Sequence, residues 1–235
     1  MNSSSPISNG VKASIVIRAY NAERTLARAI QSALAQNGGD EYEVVVVDDG
    51  SEDGTAQIIR EFSTDPRVRV VEQENQGLIG ASNAGFAVAQ GDIAMLLDAD
   101  DEALPDFVSA SCAALTDPSV DYGYGEYYEE YGGVRKIVRP TDPFKALAGA
   151  FAWRRDTLMA EGGFGNESIF PEYEIVLRTW GRWQGVRILR PLFVYHRNRA
   201  SMTGDSGLVQ KSIAMLRKKY PERAVEIAAI RSYEL

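Results

Sequence analysis

The sequence has very little cysteine and histidine. Its 235 residues include one cysteine, Cys112, and one histidine, His196. A single cysteine excludes an intramolecular disulfide and gives no sign of a secreted, disulfide-stabilised domain. A single histidine argues against a histidine-based catalytic triad and against a histidine-rich zinc site. We interpret Cys112 as buried filler in an apolar helical run, and His196 as a structural residue in an apolar and aromatic strand.

The chain also lacks an excess of basic residues and any long apolar run. It has 25 basic and 33 acidic residues, and this acidic balance argues against broad nucleic-acid binding. No apolar run approaches the roughly 20 residues that span a bilayer. Residues 1–10 are polar and do not resemble a signal peptide. These absences predict a soluble, cytoplasmic protein with no transmembrane segment, and they leave open a peripheral attachment to the inner face of the membrane.

No glycine-rich turn follows the first predicted strand. The segment at 18–23 reads RAYNAE and contains no glycine. A dinucleotide-binding fold needs glycines at this point, so that a pyrophosphate can approach the backbone. A Walker P-loop is absent as well. Dinucleotide-dependent enzymes and P-loop NTPases are therefore disfavoured.

The first hundred residues do contain a regular alternation of strands and helices. Strands are predicted at 14–17, 42–47, 68–71 and 93–97, and helices at 22–36, 53–62 and 77–89. This alternation requires parallel pairing, and right-handed crossovers then give an α/β fold with a doubly wound, Rossmann-like sheet. In such sheets the ligand site lies beyond the carboxyl ends of the strands.

The second half is predicted to be a smaller, mixed region. Helices are predicted at 105–115, 155–161, 172–181 and 208–230, the last broken at Pro221, and strands at 120–124, 126–131, 134–138, 149–153, 186–189 and 192–195.

Two acidic clusters follow predicted strands. Asp48 and Asp49 end the second strand, and Asp98, Asp100 and Asp101 follow the fourth, which is apolar enough to be buried on both faces. Crowded carboxylates at the end of a buried strand repel one another and lose hydration, at a cost of several kcal/mol unless a cation compensates them. Their oxygens suit Mg²⁺ or Mn²⁺. The alternative is that these acids only solvate a strand end and cap the next helix.

These groups suit one kind of reaction. Tyr20 can stack on a base, and an aspartate at the end of the second strand can accept hydrogen bonds from a base or ribose. A cation on Asp98 and Asp100 can neutralise a diphosphate. A nucleoside diphosphate would then be the leaving group, with the metal as Lewis acid. An attacking hydroxyl would need a base on the other side of the reacting carbon.

Four segments resemble the ordered motifs of family 2 glycosyltransferases with the GT-A fold. They are SIVIRAYN at 14–21, VVVVDDGSEDGT at 44–55, ENQGL at 74–78 and LDADD at 97–101. The resemblance implies an inverting hexosyltransferase that moves a sugar from a nucleoside-diphosphate sugar, with UDP as the expected nucleotide, to a hydroxyl acceptor in polysaccharide or glycoconjugate synthesis. The acceptor would be a saccharide, a lipid-linked molecule or a protein, and a homodimer is left open. The cofactor would be Mg²⁺ or Mn²⁺.

The resemblance assigns donor-binding residues by position. They would be Ala19, Tyr20, Asn21, Glu23, Asp49, Asn83, Asp98, Ala99 and Asp100. Ala19 and Tyr20 would line the nucleoside pocket, and Asp49 would bind the base. The metal ligands would be Asp98 and Asp100, with Asp100 as the more direct one, and Asp101 would serve the turn into the next helix. Ser82 stands where the family often has an arginine, which leaves Arg18 or Arg178 to contact the donor phosphates.

The resemblance also assigns a catalytic base. Glu172 falls at the base position, at the start of a late helix, with Glu174 as the next candidate. Glu172 is one methylene longer than the aspartate that is common there, which shifts its reach. Pro171 replaces the acidic residue that usually precedes the base, and Asn198 replaces a histidine that many members carry.

The resemblance divides the chain into a flexible N-terminus at 1–10, a donor-binding half at 11–104, an acceptor-binding and catalytic-base half of the same domain at 105–205, and a C-terminal helical extension at 206–235. Three rival interpretations are kept. One is a nucleotidyltransferase, which usually needs a glycine-rich basic loop after the first strand. Another is a non-catalytic nucleotide-sugar-binding domain, suggested by the departures from the family pattern. The third is a retaining transferase on the same fold.

Overall fold

The computed structural model describes residues 11–37, 41–165, 168–197 and 205–230. The predicted flexible N-terminus at 1–10 and the departure at Asn198 lie outside these residues. The first half alternates strands and helices as the sequence predicts. The strands are β1 (Ala13–Ala19), β2 (Tyr42–Asp48), β3 (Val68–Glu72) and β4 (Ile93–Asp98), and the helices are α1 (Leu26–Leu34), α2 (Thr55–Phe62) and α3 (Gly77–Val88).

The second half continues the same sheet. Its strands are β5 (Glu102–Ala103), β6 (Tyr122–Tyr131), β7 (Val134–Val138), β8 (Phe151–Arg154) and β9 (Gly185–His196). Its helices are α4 (Phe107–Ala114), α5 (Arg155–Ala160), α6 (Pro171–Arg178), α7 (Ser206–Lys219) and α8 (Ala224–Ala228). In the described residues the strands of both halves form one nine-stranded sheet. Its order is β3-β2-β1-β4-β8-β6-β9-β5, and β7 pairs with β6. Strands β1 to β4 are parallel, and β8 joins them antiparallel to β4.

Several predicted boundaries are wrong. The strands predicted at 120–124 and 126–131 are one strand, β6, and those at 186–189 and 192–195 are one strand, β9. These two long strands pair in parallel, and the register of their pairing shifts next to Glu126. Each strand therefore continues through the point where the sequence predicts that it ends. The short strand β5 has no sequence signal, because it exists only through its pairing with β9.

The helices are shorter than predicted. Helix α1 starts at Leu26 and not at residue 22, and the backbone N–H of Ala22 donates to the Thr55 hydroxyl at 2.8 Å. Helix α6 ends at Arg178 and not at 181. The terminal helical stretch is divided by a 3₁₀ turn at Pro221–Arg223, which confirms the predicted break at Pro221.

Helix α3 packs closely on the central strands. A Cβ atom added at Gly85 would lie 2.3 Å from Val16 Cγ1 and 3.1 Å from Val47 Cγ2, so only glycine permits this approach. One turn earlier on the same helix, Ser82 is fully buried and receives a 3.0 Å hydrogen bond from the Arg18 guanidinium. The small residues of α3 therefore bring it within reach of the carboxyl end of β1. In the described chain, every helix is too short or too polar to cross a bilayer.

Candidate active site

A cavity of about 1070 Å³ lies at the carboxyl ends of β1 and β4. Its wall is formed by the segment after β1, the residues after β4 and the first turn of α6. The predicted site residues that line it are Tyr20, Asn21, Glu23, Asp98, Ala99, Asp100 and Glu172. The structure therefore brings together residues that are separated by up to 152 positions in the chain (172 minus 20). This is the location expected for a ligand site in a doubly wound sheet.

The loop after β1 is fixed by hydrogen bonds to the loop after β2. The Asn21 side chain accepts from the backbone N–H of Glu52 at 2.8 Å, and Glu23 Oε2 accepts from the backbone N–H of Gly54 at 2.9 Å. Asn21 also has a φ of +50°, in the left-handed region that asparagine tolerates better than most residues. Tyr20 is 51% exposed in this loop, so its ring is available for stacking on a base.

Three predicted donor-binding residues are not part of the cavity wall. Ala19 is buried within β1. Asp49 is buried, and its Oδ1 accepts from the Gln73 side chain at 2.6 Å and from the backbone N–H of Gln76 at 2.8 Å. Asn83 exchanges two 2.9 Å hydrogen bonds with the backbone of Phe164 and lines a second cavity of about 660 Å³. In this structure Asn83 anchors the segment that leads to α6.

The acidic residues after β4 are crowded, as the sequence predicts. Burial, together with the neighbouring Asp98 charge, raises the pKa of Asp100 above its usual value. Burial and both neighbouring aspartates raise the pKa of Asp101 well above its usual value. Asp101, predicted to serve the turn into the next helix, lines the cavity and accepts a 2.9 Å hydrogen bond from the backbone N–H of His196. This bond ties the acidic segment to the end of β9.

Asp98 is already paired with a cation of the chain. The guanidinium of Arg18, on the adjacent strand, forms an ion pair with the Asp98 carboxylate. Arg178, the other candidate for a phosphate contact, instead donates to the carbonyl of Glu161 at 2.6 Å and is not part of the cavity wall. Of the two arginines, only Arg18 is placed to meet a ligand.

Glu172 lies in the first turn of α6, where Pro171 occupies a position that tolerates a missing N–H. Its side chain is 3% exposed and faces the cavity. Burial raises the pKa of Glu172 to about 8, against the lowering effects of its own backbone N–H and of the Arg18 charge. A carboxyl group whose pKa lies near the working pH is suited to accept and return a proton.

Glu174 faces away from the cavity. It is fully buried, with Oε1 at 3.0 Å from Lys219 Nζ and at 2.5 Å from the Tyr220 hydroxyl, and Oε2 at 3.3 Å from Arg178. These contacts attach the end of α7 to α6. Glu174 is therefore a structural residue, and its placement does not support the interpretation of Glu174 as an alternative base.

Sequence reasoning missed the part of the cavity wall that comes from β9 and from the segment before β8. Phe193 and Tyr195 line the cavity from β9, and Leu147 and Gly149 line it from the segment before β8. The alternation of side chains along a strand places Phe193 and Tyr195 on one face, but their sequence does not say which face meets a ligand. His196 has the structural role expected for it, with Nε2 at 2.7 Å from Glu102 Oε1.

The burial of Glu172 predicts a pH-dependent difference in stability. Its folded pKa of about 8 exceeds the ordinary 4.5, so the folded chain keeps a proton that the unfolded chain releases between these values. The free energy of unfolding should therefore fall as pH rises through this window, by at most about 1.4 kcal/mol per pH unit. Glu172→Gln lacks this effect, so its melting temperature should rise relative to wild type from pH 5 to pH 8. Thermal melts at each pH measure the difference, with the exposed Glu74→Gln as control. A difference that does not change with pH would contradict the raised pKa.

Comparison with known proteins gives a family match over most of the chain. Residues 14–173 match the family model described as Glycosyl transferase family 2. Succinoglycan biosynthesis protein ExoO from Rhizobium meliloti is 48% identical over 92 residues, which are 39% of this chain and 26% of that protein. The chain spans about a third or less of the length of the first curated relatives that it matches.

Two solved structures share the fold. The mannosyltransferase PcManGT from Pyrobaculum calidifontis, in complex with GDP-Man and Mn²⁺, aligns with a TM-score of 0.73 at 18% identity, over 93% of this chain and 68% of that chain. S. aureus TarS 1–349, in complex with UDP-GlcNAc, aligns with a TM-score of 0.69 at 18% identity, over 88% of this chain and 67% of that chain. The predicted α/β fold of the GT-A type is confirmed.

Proposed function

Because the chain belongs to glycosyl transferase family 2, we propose that it transfers a sugar from a nucleoside-diphosphate sugar to a hydroxyl acceptor, with inversion at the anomeric carbon. The observation that carries this proposal is the position of Glu172 and of the Asp98–Asp100 segment in the wall of one cavity. A base and an acidic diphosphate-binding segment are the two parts that a direct displacement of a nucleoside diphosphate requires. The name of the succinoglycan biosynthesis relative supports a role in polysaccharide synthesis.

Glu172 acts as the general base in this proposal. Its carboxylate accepts the proton of the acceptor hydroxyl while the hydroxyl oxygen bonds to the anomeric carbon. The bond between that carbon and the diphosphate breaks, and its electron pair leaves on the phosphate oxygen. A burial-raised pKa favours proton acceptance in this step, because the protonated product is the form that the buried site prefers. Attack opposite the leaving group gives inversion.

The nucleoside is held between the loops after β1 and β2. Tyr20 stacks on the base, and the hydrogen bonds of Asn21 and Glu23 fix the loop that carries this ring. Asp49 lies outside the cavity wall, so it would meet only a base that reaches beyond that wall. In the described part of the chain, Asp49 accepts its two hydrogen bonds through Oδ1, which leaves Oδ2 for an N–H of such a base. Uracil presents one such N–H, and we propose UDP as the nucleotide. The TarS structure with UDP-GlcNAc supports a uridine nucleotide in this fold.

Asp98 and Asp100 fit a hard divalent cation, Mg²⁺ or Mn²⁺. Both offer carboxylate oxygens, and burial together with the Asp98 charge raises the pKa of Asp100, an effect that a bound cation would oppose. Among the described residues, no group of three His, Cys, Asp or Glu side chains could hold a metal. A site with two carboxylates suits Mg²⁺ or Mn²⁺, which complete their coordination with water and substrate phosphate oxygens. When bound, such a cation would supply positive charge to the departing diphosphate.

The remaining wall would receive the acceptor. Phe193 and Tyr195 of β9 contribute aromatic rings to this part of the cavity wall. Aromatic faces commonly pack against the apolar faces of ring-shaped ligands. This supports a saccharide hydroxyl as acceptor over a protein side chain, with a lipid-linked saccharide as one form of it.

A panel of nucleotide sugars tests the proposed function. With Mn²⁺ present, one uridine-diphosphate sugar should raise the melting temperature, since a ligand at 100 times its Kd stabilises the folded state by about 2.7 kcal/mol. The measurement is a thermal-shift assay of the full chain, with ATP and NAD⁺ as controls. Products of the active donor are then analysed by NMR, where inverted anomeric configuration is expected. A panel in which no nucleotide sugar gives a shift would contradict the proposed function, and retention would contradict the proposed stereochemistry.

A further inference from the structure

Arg18 is a buried cation in the floor of the cavity. It lies on β1 directly opposite Asp98 of β4 in the parallel register, so the two side chains leave the sheet on the same face. Its side chain is 5% exposed and its guanidinium forms an ion pair with the Asp98 carboxylate. Another guanidinium nitrogen donates to the Ser82 hydroxyl at 3.0 Å. A positive charge is thus fixed beside one of the two proposed metal ligands.

The surroundings of Arg18 are built to hold a guanidinium. Close packing of α3, permitted by Gly85, brings the small Ser82 to the end of β1 and leaves room for the long arginine side chain. Ser82 in turn donates to the carbonyl of Leu78 at 2.7 Å, which orients its hydroxyl oxygen toward Arg18. The Arg18 Nε atom is buried, and in the described chain it has no hydrogen-bond partner. A buried donor without a partner costs free energy, so the site holds the guanidinium without satisfying all of its donors.

A divalent cation and Arg18 would compete for the Asp98 carboxylate. Two positive charges on one carboxylate repel each other, and the repulsion is stronger in a partly buried site than in water. Cation binding therefore weakens the Arg18–Asp98 ion pair. The guanidinium stays near the cavity because Ser82 holds it, but it then needs a new anion. The diphosphate of a nucleotide sugar is the anion that would enter this cavity, and a guanidinium matches phosphate oxygens with two parallel donors.

We propose that Arg18 is a donor-binding residue that competes with the divalent cation for Asp98 and binds the donor diphosphate. This inference rests on the proposed function, because it takes the cavity to be a donor site. It assigns to β1 a phosphate contact that the motif pattern would place on α3. It also implies that the chain binds a nucleoside diphosphate to some extent without a metal, since Arg18 supplies a permanent positive charge.

Replacing Arg18 by glutamine should change two affinities in opposite directions. The Mn²⁺ affinity of the Arg18→Gln variant, without nucleotide, should increase about tenfold, because a charge-assisted contact to Asp98 no longer competes. Its UDP affinity, measured with EDTA present, should fall about tenfold because the phosphate contact is lost. Isothermal titration of the full chain with Mn²⁺ alone and with UDP alone gives both numbers. A merely structural role would weaken both together.

Two further variants test the inference even if Arg18→Gln fails to fold. In Arg18→Lys the point charge still competes for Asp98, so Mn²⁺ affinity should stay within about threefold of wild type, while UDP affinity falls because the planar fork is lost. Arg139→Gln removes an exposed arginine that pairs with Glu126 outside the cavity, and it should change neither affinity. Unchanged or weaker Mn²⁺ binding in Arg18→Gln, or unchanged UDP binding in both Arg18 variants, would overturn this inference. A wild type that binds neither Mn²⁺ nor UDP would instead overturn the donor site itself.

Discussion

Glu172→Gln is expected to lower kcat for sugar transfer by about 10²- to 10⁴-fold, the usual range for loss of a general base. Glutamine has nearly the shape of glutamate but cannot accept the acceptor proton at neutral pH. The donor-binding residues lie on other loops of the cavity, so the affinity for the nucleotide sugar should stay close to that of wild type. Initial rates of nucleoside diphosphate release with acceptor present give kcat, and titration calorimetry gives donor affinity.

Two matched variants separate the base from its neighbours. Glu172→Asp keeps the carboxyl group but shortens its reach by one methylene, so partial activity is expected. Glu174→Gln changes a residue of the same helix that contacts Lys219 and Tyr220 outside the cavity. It should lower stability because a buried network loses its charge, yet leave kcat per folded molecule near the wild-type value. Full transfer activity in Glu172→Gln, or loss of kcat only in Glu174→Gln, would assign the base elsewhere.

Asp100→Ala is expected to abolish metal-dependent transfer, with a loss of at least about 10²-fold, because several kcal/mol of charge stabilisation at the leaving diphosphate depend on that ligand. Asp100→Asn should lose activity in the same way, and its side chain keeps nearly the volume of aspartate, so no cavity is created. Initial rates are measured over a range of Mn²⁺ concentrations and after treatment with EDTA. In the variants, the residual rate should no longer respond to either.

The stability of the Asp100 variants provides an internal check. Because burial and the Asp98 charge raise the pKa of Asp100, removing this carboxyl group relieves repulsion and should not lower the melting temperature at pH 7. Asp106→Asn is the matched control, since Asp106 is an exposed aspartate that pairs with Arg190 near the surface. An Asp100→Ala variant with full metal-dependent activity would refute the assignment of Asp100 as a metal ligand.

The candidate site was partly predictable from the sequence because its parts have local signals. The apolar run at 93–97 followed by Asp98 and Asp100 predicts a buried strand with an acidic end, and the structure has both. Glu172 was predicted only through the family resemblance, because a glutamate in the first turn of a helix is common for electrostatic reasons alone. Its burial in the cavity wall is a property of the packed structure.

Asn83 shows where motif spacing stops being informative. It directly follows Ser82 on α3, and one residue corresponds to a rotation of about 100° around a helix. That rotation takes Asn83 away from the main cavity and toward the backbone of Phe164, whereas Ser82 faces Arg18. The order of residues in a motif therefore does not give the direction of each side chain.

The sequence by itself determined the alternation of strands and helices, the parallel pairing of the first half and the acidic end of β4. These features follow from hydrophobic periodicity and from residue types that are close together in the chain. The tertiary structure decided that Arg18 pairs with Asp98 and that the predicted short strands join into β6 and β9. It also decided that Glu172 lines the cavity whereas Glu174 has a structural role. These features depend on contacts between residues far apart in sequence, and on the local packing that sets the phase of each helix, neither of which a local pattern contains.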